Sequence, residues 1–386
     1  MAVIIFKATE KCNANCIYCG VVKKANQEVM DFELLTDIFK KINVYLLKFP
    51  KEKVSFTWHG GEVAMLGADY FVKAYEILQA ECPDTQKRIE HLVQSNMTAL
   101  TQELLDIWKK LGMNSIGTSF EPVDGIRGLG KNRDSVAYNK RFFQGVNLAE
   151  KNGFKWGFIY VVNKKSLENP MEIFHFLTNM NLKSSPMMNK MYDYGDDETG
   201  LAINQDEYAD FLGALFPYWW KNRKRYASVK PFNMFYESII NGKIQMGCEY
   251  MGHCTNKWIY IGPTGDTAQC GRAGDFGIMK YPSIKEHTLE EILFHKDRKP
   301  IDERQIKLAE TECKDCRFWE LCHGGCVLDA YMSSGNYESK SPNCGWMQKF
   351  LIKYFEPVTG VKINLYHPNS KKRIQENKNQ KAEIKK

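Results

Sequence analysis

The ten residues 11–20, KCNANCIYCG, constrain this chain more than any other stretch. They carry Cys12, Cys16 and Cys19 in the spacing CxxxCxxC, directly after the apolar run 3–6, which reads as a short strand. Three thiolates this close in sequence wrap one cluster of soft metal ions, and thiolate is the ligand that iron–sulfur clusters select. Three is one short of the four ligands that structural zinc takes. It is also one short for a four-iron cube, so one iron would stay open to bind something else.

Around that loop the chain alternates strand with helix. Strands are expected at 3–6, 53–58, 89–94, 114–120, 156–162 and 183–188, and helices at 31–49, 70–81, 102–110, 138–151 and 170–180. In the first helix Leu34, Leu35, Ile38, Phe39, Ile42, Leu46 and Leu47 form the apolar stripe, with Asp31 as N-cap. Strands alternating with helices argue for parallel βα units. From 204 to 241 the character changes to helices at 206–222 and 232–240, heavy in Tyr, Phe and Trp. An aromatic stripe of this kind is core packing more often than a substrate groove.

Eight more cysteines follow: Cys248, Cys254 and Cys270, then Cys313, Cys316, Cys322 and Cys326, then Cys344. Eight is twice the four thiolates that complete a cluster. Zinc stays open here, because the pairs 313/316 and 322/326 taken alone would pass for a zinc ribbon. A hairpin is expected at 258–261 and 267–270 around Pro263 and Gly265. Cys82, at a helix end, reads as a bystander.

With 386 residues the chain exceeds what one core ordinarily serves, and two domains follow. Twelve cysteines point to metal rather than disulfides, in a reducing, cytoplasmic setting, and to an oxygen-sensitive protein. There is no run of 18 apolar residues and no signal-peptide pattern, so no membrane partner is expected. The net charge is +7, but residues 366–386 hold seven Lys or Arg against two Glu, and the remainder is close to neutral. That segment reads as a solvated tail, and no nucleic-acid partner is expected.

The loop 11–20 resembles the signature of the radical S-adenosylmethionine (SAM) enzymes, down to the aromatic Tyr18 before the last Cys. The resemblance implies that Cys12, Cys16 and Cys19 hold a [4Fe–4S] cluster whose open iron chelates SAM. An electron then cleaves SAM to methionine and a 5′-deoxyadenosyl radical, which takes a hydrogen from the substrate. Gly60, Gly61 and Glu62 match the family's GGEP element, with Val63 in place of Pro, and would meet the amino group of SAM. Glycine there lets backbone approach without a Cβ. Asn96 and Ser119 at strand ends, Arg133 in the loop after the fourth strand and Ile159 within the fifth would contact the rest of SAM. The mundane alternatives are that Ser and Asn commonly finish strands and that Arg133 is a solvated loop charge.

The later cysteines resemble the SPASM domain, which holds two auxiliary [4Fe–4S] clusters. By that pattern Cys248, Cys254, Cys270 and Cys326 ligate one, and Cys313, Cys316, Cys322 and Cys344 the other. The implied fold is α/β: a partial (β/α)6 TIM-like radical SAM barrel at 1–200, a helical bridge at 201–245, a small Cys-rich α+β SPASM domain at 246–356 and a basic tail at 357–386. Barrel sites sit at the strands' C-terminal ends, where the Cys loop lies.

Within the family the pattern resembles the anaerobic sulfatase-maturing enzymes and the maturases of ribosomally made peptides. The expected activity is oxidation or cross-linking of a peptide or protein, with auxiliary clusters taking the electron and a flavodoxin or ferredoxin as reductant. The sulfatase-maturing enzymes carry an Asp base after the third Cys of the nearer cluster. Gly271 stands there in this chain and Asp275 lies four residues on. With no peptide-recognition extension expected before the loop, a separate recognition protein or the barrel mouth would bind a leader peptide. The alternatives are the same chemistry on a small metabolite, formylglycine formation, and a non-catalytic iron–sulfur electron carrier.

Overall fold

The computed structural model describes residues 1–20, 28–180, 186–191, 199–226, 228–252 and 254–370. In chain order the elements that matter are β1 (Ala2–Lys7), α1 (Phe32–Lys48), β2 (Val54–His59), α2 (Gly67–Glu81), β3 (Ile89–Gln94), α3 (Gln102–Lys110), β4 (Ser115–Ser119), α4 (Ser135–Lys151), β5 (Lys155–Val162), α5 (Pro170–Met180), β6 (Met187–Lys190), α6 (Gln205–Asn222) and α7 (Phe232–Phe235). They continue with β7 (Trp258–Ile261), β8 (Thr267–Ala268), α8 (Gly271–Phe276), β9 (Lys280–Tyr281), α9 (Leu289–Leu293), α10 (Lys299–Glu310), α11 (Trp319–Cys322), α12 (Val327–Ser334) and α13 (Cys344–Phe350). Two compact units form: residues 1–160 with 255–297, and residues 161–254 with 298–386.

In the first unit the strands run in the order β5-β4-β3-β2-β1-β7-β8-β9. Neighbours from β5 to β7 are parallel, and the last two pairings are antiparallel. This is the α/β architecture with a parallel sheet that the alternation implied. The central strands are buried along nearly their whole length, as a sheet covered on both faces requires. Phe6, Phe56 and Trp58 pack there with Phe39 from α1 and Phe71 from α2, mostly in tilted and edge-on contacts.

The helices start where side chains satisfy their free N–H groups. The Asp31 carboxylate accepts from Leu34 N at 2.8 Å, Thr101 accepts from Leu104 N at 3.2 Å, and Asp134 accepts from Ala137 N at 2.9 Å. The stripe of α1 is buried from Leu34 to Leu46, but Leu47 is 56 % exposed, which corrects its placement. At about 100° per residue, position 47 lies half a turn away from Ile38.

In the second unit α6 opens with a reciprocal Asn204–Glu207 capping box. Its aromatic residues are core: Phe216 and Trp219 are fully buried against Phe232, and Phe216 also meets Phe350 and Phe355. The expected helix at 232–240 is α7 continued by a wider π-type turn over Tyr236–Ile240. The expected strand at 183–188 lies partly outside the described residues, as do residues 371–386 of the basic tail. Among the described residues no helix is long and apolar enough to cross a membrane.

Candidate functional site

The cysteine loop leaves β1 at its C-terminal end and is pinned by three neighbours. From the turn after β2, Gly61 N donates to Thr9 O at 3.0 Å and Glu62 N donates to Lys11 O at 2.8 Å. From the segment after β4, the carbonyls of Gly128 and Ile126 accept from Asn15 N and Ile17 N at 2.8 and 2.9 Å. From the end of β3, Asn96 Nδ2 donates to Asn13 Oδ1 at 2.9 Å, and Asn13 Nδ2 donates to Thr98 Oγ1 at 2.8 Å. Three separate strand ends therefore fix the loop that carries the thiols.

The two glycines explain how the loop comes so close. A Cβ on Gly60 would stand 2.4 Å from Thr9 O, and one on Gly61 would stand 2.3 Å from Glu10 O and 2.4 Å from Lys11 O. Those are backbone atoms, which have no side-chain rotamer to escape through. Glu62, fully buried, uses its carboxylate as a bracket: it accepts from Ser95 Oγ at 2.6 Å, Asn96 N at 2.5 Å and Ala64 N at 2.9 Å. Burial raises the affinity of Glu62 for a proton, and the three donors oppose that rise.

Nitrogen donors are directed at the sulfurs. Ala14 N lies 3.4 Å from Cys12 Sγ, Asn96 Nδ2 lies 3.9 Å from the same atom, and Arg127 Nη1 lies 3.6 Å from Cys16 Sγ. Burial pushes the Cys12 thiol up to about 12 and Cys16 to about 11, with the neighbouring thiols adding to the rise. Among the described residues no group of three His, Cys, Asp or Glu side chains is set for a single metal ion. A thiol trio fed by N–H donors is nevertheless the donor set that a thiolate-bound iron–sulfur cluster takes, so the residues fit that group.

Tyr18 packs into a buried network. Its hydroxyl donates to Glu121 Oε2 at 2.8 Å and accepts from Arg127 Nη2, while Arg127 Nε donates to the same carboxylate oxygen. Ser119, the last residue of β4, is paired in register with Ile159 in the middle of β5. Arg133 adopts a left-handed backbone at φ 51° and donates Nε to Asn15 O at 2.6 Å, a second brace for the loop. Sequence reading missed Glu121 and Arg127, since charges in a Gly-rich stretch read as solvated.

It also missed Lys7 and His59, paired in register at the C-terminal ends of β1 and β2. Lys7 is ion-paired with Asp275 of α8. His59 is held down to about 4 by burial and by the Lys7 ammonium. Asp275 therefore points to the strand ends of the first unit. A Cβ at Gly271, one turn earlier on α8, would meet Ile5 instead, two residues back along β1.

In the second unit Cys313, Cys316, Cys322 and Cys344 line one small cavity with Trp319, Met347 and Gln348. Gln348 Nε2 donates to Cys344 Sγ at 3.1 Å. Burial, then repulsion from the neighbouring thiols, pushes Cys313 up to about 12 and raises Cys322 and Cys344. Arg304 donates to the carbonyls of Gly324 and Gly325 at 2.7 and 3.0 Å, fixing the turn between Cys322 and Cys326. Of the remaining set, Cys248, Cys254 and Cys326 belong to the second unit and Cys270, at the start of α8, to the first. Cys82 is buried and donates to Phe39 O at 3.4 Å.

A cysteine loop at the C-terminal ends of parallel strands lies where α/β folds of this kind place their sites, and comparison with known proteins shows what the chain resembles. Residues 6–177 match the Radical SAM superfamily. The chain is 25 % identical over 370 residues to a serine-type anaerobic sulfatase-maturating enzyme of Bacteroides thetaiotaomicron, covering 90 % of this chain and 86 % of that protein. It is 22 % identical to a cysteine-type anaerobic sulfatase-maturating enzyme of Clostridium novyi, over 94 % of this chain and 97 % of the other. The fold matches native anSMEcpe with bound AdoMet and Cp18Cys peptide at a TM-score of 0.76 and 20 % identity, covering 93 % and 98 % of the two chains. Streptococcus suis SuiB bound to precursor peptide SuiA matches at a TM-score of 0.56 and 15 % identity, covering 88 % and 74 %.

Proposed function

We propose that this chain is a radical SAM oxidoreductase that modifies a peptide or protein by removing hydrogen from a side chain or Cα. The observation that carries the reading is the thiol trio of Cys12, Cys16 and Cys19, held by three strand ends with N–H donors directed at two of its sulfurs. When bound, a [4Fe–4S] cluster with SAM would supply the electron and the 5′-deoxyadenosyl radical that takes the hydrogen. The chain's own residues do the rest. The trio ligates, while Gly60, Gly61 and Glu62 hold the loop against β2 and β3. Tyr18 in the loop, Asn96 and Ser119 at the ends of β3 and β4, Arg133 after β4 and Ile159 within β5 are proposed to face SAM.

The peptide substrate is supported by likeness to the sulfatase-maturating enzymes and to SuiB, whose structure was solved with a precursor peptide. The four thiols of the second-unit cavity, and the set Cys248, Cys254, Cys270 and Cys326, are proposed to hold two auxiliary clusters in a SPASM arrangement. Electrons from the oxidised substrate would leave through them, and a flavodoxin or ferredoxin would feed the first cluster.

Anaerobically reconstituted, reduced protein should convert SAM to 5′-deoxyadenosine, and the C12A/C16A/C19A variant should not. SAM cleavage that survives in that variant would overturn the reading. Mass spectrometry of peptides co-expressed anaerobically should then find one that has lost two hydrogens. Conversion of small alcohols or sugars with no peptide modified would shift the reading to a metabolite enzyme.

A second reading, formylglycine formation, is favoured by Asp275. Gly271 removes the carboxylate from its usual position, but Asp275 presents one from the next turn of α8, beside Lys7 and His59. A sulfatase-derived peptide with Ser or Cys at the modified position tests it: aldehyde formation that is lost in D275N while that variant still converts SAM to 5′-deoxyadenosine supports it, and a peptide left unmodified by the wild type removes it.

A further inference from the structure

We propose that Arg127 is a positioning residue that sets the reduction potential of the cluster on Cys12, Cys16 and Cys19, through a charged hydrogen bond to the Cys16 sulfur, with Glu121 as its counterweight. The inference rests on the reading that this trio holds a cluster.

Arg127 is buried at 6 % exposure, in the segment between β4 and α4, and each nitrogen of its guanidinium is engaged. Nε donates to Glu121 Oε2, Nη2 donates to the Tyr18 hydroxyl, and Nη1 reaches Tyr138 Oη at 3.4 Å and Cys16 Sγ at 3.6 Å. The ring of Tyr18 lies under the guanidinium carbon at 5.3 Å. Glu121 is 1 % exposed, so the pair is withdrawn from water. A fork fixed this way cannot swing off the sulfur, and arginine stays charged at every relevant pH.

The electrostatic consequence follows from position. Reduction adds one negative charge to the cluster and its thiolates. A cation in contact with one of those sulfurs stabilises the reduced form more than the oxidised form, and a low-dielectric setting strengthens the effect. Hydrogen bonds to cluster sulfurs and local charge are recognised levers on such potentials. Glu121 bonds Nε, a different nitrogen from the Nη1 that reaches Cys16, and its negative charge pulls the other way. The two residues therefore have opposite signs, and purely structural roles would not give that pattern.

The test is an EPR-monitored redox titration of the reconstituted full-length protein without SAM. It follows the signal component that the C12A/C16A/C19A variant lacks. R127Q should lower the midpoint so that, at a fixed donor potential, the ratio of reduced to oxidised cluster falls about tenfold, which is about 59 mV for a one-electron couple. E121Q, with Arg127 retained, should shift it upward, and R127K, which keeps the charge but loses the fork, should fall between R127Q and wild type. Should R127Q fail to fold, E121Q and R127K still give the two signs. Midpoints that stay at the wild-type value, or that move the same way in R127Q and E121Q, would overturn the proposal. A wild-type protein that assembles no cluster on the trio would overturn the underlying reading instead, and the proposal with it.

Discussion

Lys7, the last residue of β1, and Asp275, in α8, form an ion pair although 268 residues separate them in sequence. The Lys7 side chain is only 1 % exposed, whereas that of Asp275 keeps contact with water. The pair is thus asymmetric: removing the carboxylate strands a buried ammonium, while removing the ammonium leaves a carboxylate that can still be hydrated. D275N is expected to destabilise by an amount approaching the 3–5 kcal/mol typical of a broken buried pair, and K7M by roughly half of that or less. The double variant K7M/D275L should recover much of the loss. Denaturant midpoints of the three variants decide this, and equal losses for the two single variants would contradict it.

The glycine pair after β2 makes a second prediction. In G61A the new methyl would collide with two carbonyl oxygens of the cysteine loop, at 2.3 and 2.4 Å. The loop must shift, and with it the trio. Gly67, by contrast, has a positive φ, 77° with ψ 168°, a backbone region essentially restricted to glycine, but its Cβ would meet nothing within 4 Å. G67A should therefore cost about 1–3 kcal/mol of backbone strain and leave iron binding intact. G61A should lose most of the iron assigned to the trio. Iron content per chain together with the thermal midpoint separates the two.

In the second unit, Gln348 donates to Cys344 Sγ at 3.1 Å and reaches towards Cys316 Sγ at 4.0 Å. Groups of this kind, hydrogen-bonded to a ligand, typically change metal affinity by 10–100-fold. Q348L keeps the side chain's bulk and removes the donor. It should release iron to a chelator faster than wild type by roughly that factor. Unchanged release kinetics would show that the donor does not act on the bound state.

The parallel sheet was legible because its strands are short apolar runs punctuated by helices with clear caps, and the cap expected at Asp31 is the observed one. The cysteine loop was legible as a spacing. Spacing does not say what holds the loop. Its braces come from Asn96, Arg133 and the backbone of residues 126–130, which lie far along the chain and are brought in by strand order. Charge was read least well. Arg127, Glu121 and Lys7 look like surface residues by type, and their burial depends on partners separated from them by a loop or by most of the chain. The glycines carried a further lesson: a GG pair reads as room for a ligand, and the same missing Cβ atoms also let Thr9, Glu10 and Lys11 of this chain approach.

The thiols make the metal-free protein sensitive to alkali. Burial raises Cys12 and Cys313 to about 12 and Cys16 and Cys82 to about 11, from 9.0. Because the folded values are raised, the stability they contribute is complete below about pH 9 and is lost as the pH climbs through 11 to 12. Each such thiol makes stability fall by about 1.4 kcal/mol per pH unit within that window. Buried tyrosines such as Tyr70 and Tyr138 are raised as well and add to the slope. The thiol share is therefore read by difference: under reducing, chelated conditions the C12A/C16A/C313A variant should unfold with a shallower dependence on pH above 9 than wild type. Cluster binding removes those protons, since the thiolate is the ligand. The loaded protein should accordingly lose less stability over the same range, and identical slopes for loaded and metal-free protein would show that these thiols are not the ligands.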